Sequence, residues 1–88
     1  MPTISLYARL RTLAGVKEMA VDGATLLAAL QALSRCCPAL EGAVLAGDAL
    51  RPHVVVTVNG QHIDPDGGLA VPVQAGDQIA IFPPIAGG

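Results

Sequence analysis

Between Thr3 and Leu10 apolar and polar residues alternate, with Ile4, Leu6, Ala8 and Leu10 on one side and Thr3, Ser5, Tyr7 and Arg9 on the other. A period of two predicts a half-buried β-strand. Leu13-Ala14-Gly15 reads as a loop, after which Lys17, Met19 and Val21 alternate with Glu18 and Ala20. The two alternating stretches together predict a first hairpin.

The period then changes. Asp22-Gly23 is a turn signal, and Thr25 is a capping residue whose hydroxyl can accept from an N–H of the first helical turn. From Leu26 onward Leu26, Leu30, Leu33 and Cys37 fall on one helical stripe, widened by Leu27 and Ala29, while Gln31, Ser34 and Arg35 face water. Pro38 ends the helix. A second short helical turn over Ala39 to Leu45 is expected to pack Leu40, Val44 and Leu45 beneath the sheet, before Ala46-Gly47-Asp48 opens a loop.

Val54-Val55-Val56-Thr57-Val58 is β-branched throughout and predicts a strand covered on both faces over part of its length. Asn59-Gly60 suits a two-residue type I′ turn, in which both central residues need positive φ, with Gln61-His62-Ile63 returning as a short strand. Asp64-Pro65-Asp66-Gly67-Gly68 is a loop, Leu69 to Val73 is extended but interrupted by Pro72, and Ala75-Gly76-Asp77 turns the chain again. Gln78 to Phe82 is the last strand, with Ile79 and Ile81 on one face and Ala80 and Phe82 on the other. The order is an α+β pattern in which one helix covers one face of a mixed sheet. Tyr7 and Phe82, the two aromatic residues, fall on the opposite face. Either both rings lie outside and mark an uncovered apolar patch, or one or both tuck against loops.

Composition narrows the function. An 88-residue chain makes one domain with a modest core, since a chain of this size buries only about 60 to 65% of the surface its unfolded form exposes. That leaves no room for a substrate cavity with lids. Hydrophobic residues make up 52% and mean hydropathy is +0.56, so part of the apolar surface is expected to be covered by a partner. The net charge of −2 comes with five scattered cations, Arg9, Arg11, Lys17, Arg35 and Arg51, and supplies no basic patch for nucleic acid. No apolar run approaches the length of a membrane span. Arg9 and Arg11 stand where a signal peptide would keep its apolar stretch. Cys36 and Cys37 are adjacent, so a bridge between them would be strained and close no useful loop. They read as reduced thiols of a cytoplasmic protein.

The last seven residues, Phe82-Pro83-Pro84-Ile85-Ala86-Gly87-Gly88, carry the candidate chemistry. A Gly-Gly end can thread a channel too narrow for a Cβ and delivers its own carboxylate. Pro83 and Pro84 fix φ and lack donors, so residues 83–88 should leave the 1–82 domain as an extended tail. An ordinary frayed terminus is the plainer reading, yet such ends are usually polar and this one has no charged side chain. The body offers no rival. His53 and His62 have no organised Cys or carboxylate spacing around them, no EF-hand pattern follows Asp64 and Asp66, and two cysteines cannot hold a four-thiolate cluster.

Four pieces of sequence now combine: Tyr7-Ala8-Arg9-Leu10-Arg11 followed by Leu13-Ala14-Gly15, the Val58-Asn59-Gly60 turn, Ala75-Gly76-Asp77, and Phe82-Pro83-Pro84 leading to Gly87-Gly88. In this the chain resembles the β-grasp sulfur carriers related to ubiquitin, of MoaD/ThiS type, which include the small subunit of molybdopterin synthase and the carrier of thiamin thiazole synthesis. The resemblance implies a ubiquitin-like β-grasp with a mixed sheet of about four to five strands and one main helix on one face. It also implies a carried substrate in place of an enzyme. An E1-like adenylating enzyme would use ATP and magnesium to activate the carboxylate of Gly88, and a sulfur donor would then displace AMP to leave a thiocarboxylate. The carrier itself would bind no cofactor and no metal. Gly87 is the slender residue behind the reacting end, and Phe82, Pro83, Pro84, Ile85 and Ala86 form the stalk that a partner grips, with Tyr7 a candidate on the partner face.

The lead acceptor implied is the large molybdopterin synthase subunit, because Phe82-Pro83-Pro84 most resembles that branch. Leu50-Arg51-Pro52-His53 and Gly67-Gly68-Leu69 resemble carriers for cysteine synthesis, and carriers for thiazole or RNA thiolation are further cousins. A ubiquitin-like modifier joined through Gly88 to lysines, and a binding module that uses its apolar face alone, are the remaining alternatives.

Overall fold

The computed structural model describes residues 1–64 and 67–83. Strand β1 is Thr3–Leu6, helix α1 is Arg9–Ala14, strand β2 is Glu18–Ala20 and helix α2 is Leu26–Cys36. Short strands β3 (Leu45–Ala46) and β4 (Ala49–Leu50) follow, then β5 (Val55–Val58), β6 (Gln61–His62) and β7 (Gln78–Phe82). Five strands form one mixed sheet in the order β2-β1-β7-β5-β6, and β3 and β4 pair separately. The last strand lies at the centre, parallel to β1 and antiparallel to β5. With α2 as the main helix, this is the α+β, ubiquitin-like β-grasp that the sequence resemblance implied.

The first strand is shorter than its alternation suggested. Beyond Leu6 the chain turns at Ala8, whose φ of 51° and ψ of −126° match the first central residue of a type II′ turn, a position that favours glycine. The Leu10 N–H closes the turn on the Tyr7 carbonyl at 3.1 Å. Leu10 is buried, but from α1 and not from a strand. Leu10 and Ala14 are four residues apart and share a helical face, so a period-two pattern coincided with a period-3.6 one over the same residues. Gly15, in the left-handed region at φ 78°, ends α1 with its N–H on the Arg11 carbonyl at 2.9 Å. β1 and β2 are antiparallel neighbours as expected, with Ile4 opposite Met19, but a helix separates them.

Helix α2 begins as its cap predicts, with Thr25 Oγ1 accepting from the Ala28 N–H at 3.2 Å. Its buried residues are Leu26, Ala29, Leu30, Ala32 and Leu33, while Cys37 and Leu27 are half-buried at the margin of the core. They pack with Ile4, Leu6, Val56, Ile79 and Ile81 from one face of the sheet. Leu26, Leu30 and Leu33 have no accessible surface, and full burial of such a side chain contributes about 1.5–3 kcal/mol each. Gly23 lets the loop before α2 approach closely, since a Cβ there would lie 2.5 Å from the Ala29 backbone nitrogen.

Three further segments differ from expectation. The helical turn after α2 is confined to a 3-10 turn over Pro38–Leu40, although Leu40, Val44 and Leu45 are all buried as the pattern required. Ala46-Gly47-Asp48 begins in β3, and Gly47 at φ 65° helps join it to β4. Gly68–Ala70 is a 3-10 turn, and the chain is extended from Val71 to the bridge of Pro72 with Thr25, where the Leu26 N–H meets the Val71 carbonyl at 2.9 Å. The Asn59-Gly60 turn is as predicted, with φ values of 51° and 85°.

Candidate functional site

Strand β7 leads into the expected tail. Ile79 and Ile81 point into the core with no accessible surface, which leaves Ala80 and Phe82 on the open face. The register pairs Ile81 with Leu6 on one side and Phe82 with Val55 on the other. Tyr7 follows Leu6 and therefore stands beside Phe82. Their rings stack with centroids 4.6 Å apart and planes inclined by 16°. Each residue keeps 37% of its surface accessible, so the two lie on the open face while covering one another. The Arg11 guanidinium sits 5.7 Å from the Tyr7 ring centre, a cation–π distance, and its Nε donates to the Leu6 carbonyl at 3.2 Å.

The other end of β7 is fixed by a polar clamp. Asn59 Oδ1 accepts from the Gln78 N–H at 3.0 Å, its Nδ2 donates to Asp77 Oδ1 at 3.2 Å, and its own N–H reaches the Gln78 carbonyl at 2.7 Å. Asp77 Oδ2 in turn accepts from the Gln74 N–H at 2.9 Å. Asn59 and Asp77, 18 residues apart, thus meet as one structure, and they set where the last strand begins.

Beyond Phe82, Pro83 is half-buried. The expected stalk and reacting end, Pro84, Ile85, Ala86, Gly87 and Gly88, lie outside the described residues, as do Pro65 and Asp66. The root of the tail is therefore where the site can be read. His53, Val55, His62, Phe82 and Pro83 line an open hollow of about 590 Å³ there. On the far side of Pro83 a second hollow of about 320 Å³ is lined by Arg9, Leu13, Arg51 and, again, His53.

Sequence reasoning placed Phe82 and Tyr7 on one face and did not foresee that they touch. It missed three residues near them. Arg11 comes over Tyr7 because the chain turns back at Ala8 into α1, which no periodicity in the sequence signals. His62 pairs with Thr57 across the Asn59-Gly60 hairpin, so the hairpin register could have placed it on the same face as Val55. His53 carries no such signal, because it reaches the root through a left-handed conformation at φ 67°. No cluster of three or more potential metal ligands occurs among the described residues. No helix among them is long and apolar enough to cross a membrane.

Known proteins share this design. A family model described as the ThiS family matches residues 4–88. Small archaeal modifier protein 1 of Haloferax volcanii is 39% identical over 87 residues, covering 94% of this chain and 95% of its own. Small archaeal modifier protein 3 of the same organism is 31% identical over 88 residues, covering 97% and 96%. A chain in the crystal structure of the Amycolatopsis orientalis BexX/CysO complex superposes with a TM-score of 0.86 at 29% identity, covering all of both chains.

Proposed function

The chain belongs to the ThiS family, and on that premise we propose that the carboxylate of Gly88 is the reacting group of a sulfur carrier, with Gly87 behind it and residues 82–86 as the stalk. The protein is a small ubiquitin-like carrier or modifier, acted on by enzymes. An E1-like adenylating enzyme joins the Gly88 carboxylate to the α-phosphate of ATP, with magnesium, and releases pyrophosphate. A sulfide-level donor then attacks the acyl carbon, the bond to AMP breaks, and a thiocarboxylate remains. A carboxylate resists nucleophiles because its charge is delocalised over both oxygens, and AMP converts it into a good electrophile.

The observation that carries this reading is the place of β7. A tail rooted in a strand paired on both sides starts from a fixed position and direction, so its end can be delivered to a distant centre with little loss of orientation. Pro83 extends that stiffness past the sheet. The Tyr7–Phe82 face supplies the apolar surface on which the receiving enzyme rests.

For the acceptor we take the large subunit of molybdopterin synthase, on the strength of the Phe82-Pro83-Pro84 stalk. Carriers for cysteine, thiazole or RNA thiolation are the alternatives. A second reading is favoured by the two archaeal modifier relatives: Gly88 joined to a lysine ε-amine of another protein, with the same activated intermediate attacked by nitrogen.

The test is an intact-mass measurement after incubation with ATP, magnesium, the adenylating enzyme and sulfide. Exchange of one oxygen for one sulfur in the terminal peptide is expected. Unchanged mass with an enzyme competent on another carrier overturns the carrier reading, and branched peptides on lysines of other proteins would then establish the modifier.

A further inference from the structure

Arg9 and Arg51, 42 positions apart in sequence, line the same hollow at the root of the tail. Among the described residues no carboxylate lines it, and Glu41 lines the neighbouring hollow with Arg35 instead. Among the described residues neither Arg9 nor Arg51 has an ion-pair partner. On a chain of net charge −2, two arginines around one concavity make a local reversal of sign that favours an anionic partner.

The backbone brings them there under strain. Arg9 follows Ala8, which holds φ 51° and ψ −126°. His53 lines the hollow at φ 67°, two residues after Arg51. Three non-glycine described residues have positive φ, and two of them adjoin this hollow. Such conformations are unfavourable for a residue with a Cβ and concentrate where a site must be held in shape. The Arg51 N–H is fixed on the Val44 carbonyl at 2.9 Å, so its backbone is anchored to the body while the side chain is exposed.

Pro83 lines the hollow too. An enzyme that takes the tail must pass over Pro83 and so comes within reach of both guanidiniums. Leu13, 37% exposed, gives the same concavity an apolar flank, so its character suits a protein surface more than a small anion. We infer that the Arg9–Arg51 hollow docks aspartate or glutamate side chains at the mouth of the groove in which the adenylating enzyme receives the tail. This rests on the proposed activation of Gly88. The hollow fixes where the carrier lands, and the tail supplies the chemistry.

The experiment measures pyrophosphate exchange by the adenylating enzyme of the same organism, with full-length untagged carrier, as a function of carrier concentration and salt. For R9E/R51E the KM for carrier is expected to rise about tenfold or more while kcat is retained, because rim charges act mainly on encounter and binding. The unaltered carrier should lose affinity as salt shortens the screening length from about 10 Å at 0.1 M to about 3 Å at 1 M, and the variant should not. R9K/R51K should keep most of the affinity. Both arginines are exposed, and a thermal melt matching the parent shows that the fold is intact. Equal KM and equal salt dependence for parent and R9E/R51E overturn the inference and leave the tail reading standing. No exchange with the unaltered carrier overturns both.

Discussion

Tyr7 and Phe82 stack face to face at 4.6 Å on the open side of the sheet, joining the turn after the first strand to the last residue of the final strand. The pair gives the root of the tail a rigid apolar platform. Phe82→Ala and Tyr7→Ala should each lower stability by about 1 kcal/mol, with a coupling of about 0.5–1.5 kcal/mol in the double variant. Urea denaturation of the four proteins measures this, and strictly additive losses would mean that the stacking contributes nothing. Phe82→Asp should remain folded and bind the adenylating enzyme less well.

Ala8 occupies a conformation suited to glycine. Ala8→Gly should therefore stabilise the fold by about 1 kcal/mol, since relief of strain exceeds the added freedom of the unfolded chain. A lower melting temperature for this variant would contradict the assignment.

The reverse holds at Gly23. A methyl group there would meet the Ala29 backbone nitrogen at 2.5 Å, and backbone cannot rotate aside. Gly23→Ala should destabilise by about 1–3 kcal/mol by forcing the loop away from α2. Equilibrium unfolding reads the loss directly.

Asn59 serves the turn and the clamp at once. Asn59→Gly keeps the positive φ but removes the side-chain bonds to Gln78 and Asp77, so its cost isolates them at about 1–2 kcal/mol. Amide exchange at Gln78 should accelerate in that variant while exchange at Ile4 follows only the global stability.

At the proposed reacting end, Gly87→Val should melt with the parent. Its thiocarboxylate formation should fall about a hundredfold, because a β-branched side chain displaces the carboxylate within a narrow channel. Mass spectrometry after a fixed incubation gives the rate, and normal loading would remove Gly87 from the site.

The sequence made most of the architecture legible where pattern and packing agree. The stripe of Leu26, Leu30 and Leu33, the β-branched run through Val56, the Asn59-Gly60 turn and the Ile79–Ile81 alternation all follow from periodicity and turn chemistry, and all lie where they should. Helix α1 was hidden because Leu10 fits the period-two alternation from Ile4 as well as the helical spacing to Ala14, and the deciding fact is a positive φ at an alanine that no propensity favours. The β3–β4 hairpin is two residues deep and held by its tertiary setting, so it has no period to detect. At the candidate site, individual residues were readable, but their meeting was not. The stacking of Tyr7 on Phe82 depends on parallel pairing of β1 with β7, and that of Asn59 with Asp77 on which turn neighbours which. The functional assignment of the tail came from its own chemistry and from resemblance, and its reacting end is a proposal still.

That parallel pairing bears on how the protein is made. The strand at the middle of the sheet follows the other described strands in the chain, so β1 and β5 each wait beside an empty lane until Gln78–Phe82 emerges. Half-made chains therefore lack the centre of their sheet and cannot complete the core that Ile79 and Ile81 fill. Because the same residues lead directly into residues 83–88, a chain broken off before Phe82 lacks at once the centre of its sheet and the end proposed for activation.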